Sequence, residues 1–127
     1  MKKFNPEGMY KPAGQYFGAV EVNSNDRLIY SSGIIGAWED GSIVPGPQDQ
    51  IDQAWRNVLA FINGCGLTTD NLVRMQMHIT KHEFIEIRKR ARIKHLGDHM
   101  NCAVTGLVVE LFDPDLYNEI DVIAATN

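Results

Sequence analysis

Within the strand-like run 72–80 apolar and polar side chains alternate from residue 73 on: Val73, Met75, Met77 and Ile79 interleave with Arg74, Gln76, His78 and Thr80. A period of two predicts a strand with one face buried under helices and the other face polar. Over residues 50–63 the period lengthens. Ile51, Ala54 or Trp55, Val58, and Phe61 with Ile62 recur every three to four positions, which predicts a helix ended by Gly64 and Gly66. A second helix is predicted over 82–96, with Phe84, Ile87 and Ala91 inward and Gly97 as its stop. Shorter apolar runs at 16–22, 27–34, 103–109 and 117–125 predict strands. Asn23-Ser24-Asn25-Asp26 between the first two predicts a hairpin turn, because Asn and Asp tolerate tight-turn geometry. Glu39-Asp40-Gly41, Pro45-Gly46-Pro47 and Asp113-Pro114-Asp115 predict further turns, and residues 1–14 an irregular arm.

The resulting order is β-β-α-β-α-β-β, an α+β class with one mixed sheet. Strand–helix–strand crossovers share one hand, so both helices are expected on the same face. The other face then carries Arg74, Gln76 and His78, too polar for a core and suited to a wet subunit interface. Self-association is expected through it.

The chain has 127 residues, 44% of them apolar and 22% charged, as in a single globular domain spanning 1–127. The opening Met1-Lys2-Lys3 runs into polar Asn5-Pro6-Glu7, and no apolar run approaches a membrane span. A cytoplasmic protein with reduced Cys65 and Cys102 and no membrane partner is expected. A net charge of −4 disfavours nucleic acid, although five of the twelve basic residues fall in the run 88–94. No aromatic residues interleave that run, so it is expected to be a solvated helix face paired with Glu83 and Glu86. His78 and His82, and His95 and His99, are spaced as metal-binding pairs, but neither gains a third ligand. No metal and no cofactor are expected.

Gly14-Gln15-Tyr16, Ser32-Gly33, Gln50, Gln53, Asn57-Val58, Gly66-Leu67, Phe84, and Glu119-Ile120 with Ile123-Ala124 stand in an order and spacing that resembles the RidA/YjgF family. The resemblance runs from Gly14 to Ala124. It implies a chorismate-mutase-like sandwich, a homotrimer, and three clefts between neighbouring subunits lined by Tyr16, Ser32, Gly33 and Glu119. The reaction it implies is hydrolysis of enamines or imines to a keto acid and ammonia. Glu119, on a strand beside Asp121, is the candidate catalytic base that orients water. Ser32 has no evident base of its own, so it is expected to shape a backbone edge and not to act as a nucleophile.

One residue departs from the family. The arginine that grips the substrate carboxylate lies fifteen positions before the glutamate, and here that position is Val104. No arginine or lysine occurs from Asn101 to Asn127. Neither Val104 nor the neighbouring Thr105 can imitate a two-pronged guanidinium contact. Hydrolysis of 2-aminoacrylate is therefore not expected, with Arg74 and Arg27 the first cations to suspect if it occurs. The stretch 101–106 and Ser32-Gly33-x-x-Gly36 are closer to the divergent YjgH-like branch, which also lacks the arginine. Cys102, Val104 and Thr105 are candidate ligand contacts, Cys102 being either a reactive thiol or a buried inert one. A small enamine, imine or keto acid-like ligand is the expected partner. A ligand-binding trimer without chemistry is the alternative function, and an RNA-binding protein or endoribonuclease the third.

Overall fold

A computed structural model describes residues 1–98 and 100–126. In chain order they form β1 (Lys2–Phe4), β2 (Ala19–Glu21), β3 (Leu28–Tyr30), β4 (Ile34–Ile35), helix α1 (Pro47–Gly64), β5 (Leu72–Ile79), helix α2 (Ile85–Leu96), β6 (Ala103–Val108) and β7 (Asn118–Ala125). Short 3-10 turns, Thr69–Asn71 and His82–Phe84, lead into β5 and α2. Strands β5 and β7 pair antiparallel at the centre of a five-stranded mixed sheet. β6 lies parallel on the free edge of β5, and β3 and β4 lie antiparallel along the far edge of β7. β4 and β5 thus point the same way across β7, so α1 is a crossover just as α2 is between β5 and β6. The two helices pack on each other and share one core with β5 and β7. That is the α+β arrangement expected from the alternation and helix periods.

Five local expectations are corrected. The turn at Asn23–Asp26 forms, with the Asp26 N–H donating to Asn23 O at 3.1 Å and the Asn23 N–H to the Asp26 carboxylate at 2.9 Å. It does not close a hairpin, because β2 pairs with β1 while β3 is taken up by β7. Turn chemistry is local and cannot say which neighbour a strand edge will meet. The arm expected to be irregular therefore contains a strand, Lys2–Phe4. The run expected over 27–34 breaks at Ser31, whose Oγ accepts the Val122 N–H at 2.9 Å. In β5 a bulge between Leu72 and Arg74 puts Leu72 in the core in place of Val73, which is only half-buried.

The basic run is the fifth. Lys89, Arg90 and Lys94 are exposed as expected, but Arg88 is half-buried and Arg92 is buried. Phe84, Arg88 and Arg92 recur every four residues, so the inward turn of Phe84 carries both arginines with it. Arg92 Nη1 donates to the carbonyls of Gly97 (3.2 Å) and Asp98 (2.9 Å), capping the end of α2. Gly97, at φ 91°, takes the left-handed backbone that ends the helix there, and Gly66, at φ 72°, does so after α1.

Two amides fasten α1 to the sheet's edge. Buried Gln50 donates through Nε2 to the Val44 and Asp115 carbonyls and accepts the Tyr117 N–H at 2.6 Å. Asn57 Nδ2 donates to Ile35 O and Ala37 O at 2.9 and 2.8 Å, with its own oxygen held by Gln53. These contacts set β4 in place, and with it the loop that precedes it. Among the described residues no helix is long and apolar enough to cross a membrane.

Candidate functional site

Glu119 lies on β7 between Ile35 of β4 and His78 of β5. Its backbone carbonyl can only accept, so the 3.0 Å contact makes His78 Nδ1 the donor. Buried Ile120 and Val122 alternate with half-buried Glu119 and Asp121, so the two carboxylates face away from the helices. Gly33, in the exposed bend between β3 and β4, touches the Glu119 carboxylate directly. A methyl group there would run into it, lying 2.6 Å from Cδ and 2.9 Å from Cγ. Ser32 is exposed beside it. Ser32, Gly33 and Glu119 therefore form one cluster.

Tyr16 is held at the opposite edge of the sheet. The Phe17 N–H donates to Cys102 O (3.1 Å) and the Met100 N–H to Gln15 O (2.8 Å), which lays residues 15–17 along the start of β6. The Tyr16 ring folds over Gly14, where a Cβ would come within 2.7 Å of Cε1. Val104 stands in register with Met75 and Val122, a row whose β5 and β7 members are buried beneath the helices. Thr105 stands in register with Gln76 and Asp121 on the open face, and its Oγ1 accepts from Arg74 Nη2 at 3.1 Å. Arg74 also lines, with Tyr16, Val104 and Thr105, a cavity of about 190 Å³ at the start of β6.

β5 separates the two clusters. Glu119 and Val104 are two strands apart and three residues out of register along β5, roughly 14 Å between backbones, and on opposite faces of the sheet. Within one chain they cannot touch the same small molecule.

Cys102 has no exposed surface. Burial pushes its thiol up to about 12, only partly offset by the charges of Lys3 and Arg92. It is placed in the core and not in an open cleft, the inert alternative for this residue. Cys65 is half-buried at the end of α1. A thiol reagent at neutral pH is expected to label one cysteine of the native protein, Cys65, and the second only after denaturation. Labelling of both at comparable rates, followed by mass spectrometry of the peptides, would contradict the burial of Cys102.

Pattern alone missed a cavity of about 510 Å³ between α2, residues 13–16 and β6, on the helix side of the sheet. Tyr16, Val104, Arg88, Lys89, Arg92 and Asp98 line it. Arg88 lies across β6 at Gly106, where a Cβ would stand 3.2 Å from Nη1. Burial, and then the like charge of Arg92, push the pKa of Arg88 below the ordinary arginine value. The four-residue spacing from Phe84 was the available signal for its inward turn.

Among the described residues no three His, Cys, Asp or Glu side chains converge as a metal site. His82 is exposed, and His95 contacts Asp52 Oδ1 at 3.0 Å. His99 lies outside the described residues.

A mixed sheet with both helices on one face defines an α+β sandwich. The family described as Endoribonuclease L-PSP matches residues 8–126, and the chain belongs to it, the RidA/YjgF family. A RutC family protein of Aquifex aeolicus is 39% identical over 70 residues. That match spans 54% of each chain, about half the length of this relative. The fold is shared with YyfB of Yersinia pestis, a Rid-family protein of unknown function, at a TM-score of 0.74 and 24% identity over 98% of both chains. RidA of an Antarctic Psychrobacter gives a TM-score of 0.70 at 19% identity, covering 99% of this chain and 100% of the other.

Proposed function

We propose that the chain is an enamine or imine hydrolase acting on small molecules, with each site completed between two subunits of a homotrimer. The observation that carries this reading is the split of the candidate residues. The Gly33–Glu119 cluster and the Tyr16–Val104 cluster lie at opposite edges of one sheet. Two half-sites that cannot meet within a chain can meet across a rotational interface, where one subunit's edge faces the other edge of its neighbour. Family membership adds weight, since RidA is the name carried by one structural relative.

In the reaction, the enamine first tautomerises to its imine. Glu119 accepts a proton from water as the water oxygen bonds to the imine carbon. That proton passes to the nitrogen to give a carbinolamine; Glu119 then takes the hydroxyl proton and delivers it to the amine as the C–N bond breaks, so ammonia leaves and the C=O of the product forms. Gly33 gives the carboxylate its place because no side chain intervenes.

Light scattering in dilute neutral buffer is expected to give three chains per particle. Enamines and imines generated in situ are expected to release ammonia faster with the protein than without. A stable monomer would remove the shared cleft and this reading with it.

The family's description as an endoribonuclease supports a second reading, RNA binding through α2. It is weakened by the inward turn of Arg88 and Arg92 and by the 3.2 Å pairing of Lys94 with Asp52. Binding of single-stranded RNA that falls steeply with salt would favour it.

A further inference from the structure

We propose that Arg88 holds an acid group of the ligand, reaching from α2 into the cavity beside Val104. This deepens the hydrolase reading and rests on it for the place of the cleft. Val104 removes the cation expected on β6, but it does not leave that wall of the cavity uncharged. The Arg88 guanidinium lies over the same strand two residues further on, at Gly106, whose missing side chain gives it room. Tyr16 and Val104 line the same space.

The charges in the cavity are unequal. Arg92 donates through Nη1 to the Gly97 and Asp98 carbonyls; burial lowers its pKa, and the nearby Asp98 carboxylate offsets part of that. Arg88 has neither a hydrogen bond nor an ion pair among the described residues, and Arg92 adds a like charge to its surroundings. A half-buried guanidinium with no partner is costly for the fold. Arg88 also has five donors in a planar fork that fits a carboxylate by two parallel contacts. A ligand carboxylate would answer both. Arg74, the rival cation, meets Tyr16 and Val104 in a separate, smaller cavity of about 190 Å³ and already donates through Nη2 to Thr105. Lys89 lines the cavity mouth but is exposed, so its charge is screened.

The test is calorimetric titration of the full chain with 2-oxobutanoate, a keto acid of the product class. Arg88→Gln is expected to weaken binding ~10- to 100-fold, the range for losing hydrogen bonds to a charged group. Arg88→Lys should fall between the two, because an ammonium keeps the charge and loses the fork. Exposed Arg90→Gln should bind as the wild type does. The thermal midpoint adds a readout that a structural role would move the other way. Arg88→Gln should melt at or above the wild-type temperature, since it removes an unpaired cation. Equal binding by Arg88→Gln and wild type, no binding to the wild type at millimolar keto acid, or a lower melting temperature would each overturn the proposal. The hydrolase reading fails separately. Arg88-dependent binding without enamine turnover would sink that reading and leave the anion site standing.

Discussion

Glu119→Gln is expected to lower turnover of an enamine substrate by ~100- to 10,000-fold while leaving the fold and the oligomer intact. Glutamine has the shape of glutamate but cannot take a proton from water. The contact from His78 goes to the backbone carbonyl of residue 119, so the substitution does not disturb it. Keto acid binding at the Arg88 cavity should survive in this variant, because Arg88 and Glu119 serve different steps. Steady-state rates on enamines generated in situ measure the first effect, and titration with 2-oxobutanoate the second. Unchanged turnover would place the chemistry elsewhere. A companion change, Gly33→Ala, should act through the same group, since its methyl would meet the flexible end of the Glu119 side chain. That end can move aside, so Gly33→Ala should lose activity with little loss of stability.

The largest loss of stability is expected at Gly36, three residues along. Gly36 is buried where β4 passes the start of α1, and a methyl group would collide with the backbone carbonyl of Gln50. The obstacle here is a helix backbone and cannot rotate away. The same helix turn carries the Gln50 amide that binds Val44, Asp115 and Tyr117, so any shift of it strains three further contacts. Gly36→Ala is expected to destabilise by about 3 kcal/mol or more, the upper part of the range for forced overpacking. For a chain of this length that lowers the melting temperature by roughly 10 °C. Calorimetry or thermal circular dichroism would measure it. A midpoint within a degree or two of the wild type would mean that β4 and α1 can separate at little cost.

Much of this molecule was determined by local pattern. The period-two run that became β5, the period of α1, and the glycines that end both helices each express forces acting within a few residues. Glu119, Gly33 and Tyr16 were legible as site candidates through the order of motifs, not through any chemistry of their own. Only the tertiary structure decided which edges those motifs occupy. β2 turned to β1 and not to β3, because strand pairing joins residues far apart in the chain and turn residues carry no information about the partner. It also decided the fate of the basic run. Charge pattern alone placed Arg88 and Arg92 in water, yet α2 rotates to bury Phe84, and residues four and eight positions later must follow it inward. The separation of Glu119 from Val104 across β5 has the same origin: it depends on sheet order and on the side to which each strand turns, and both are settled by packing between segments.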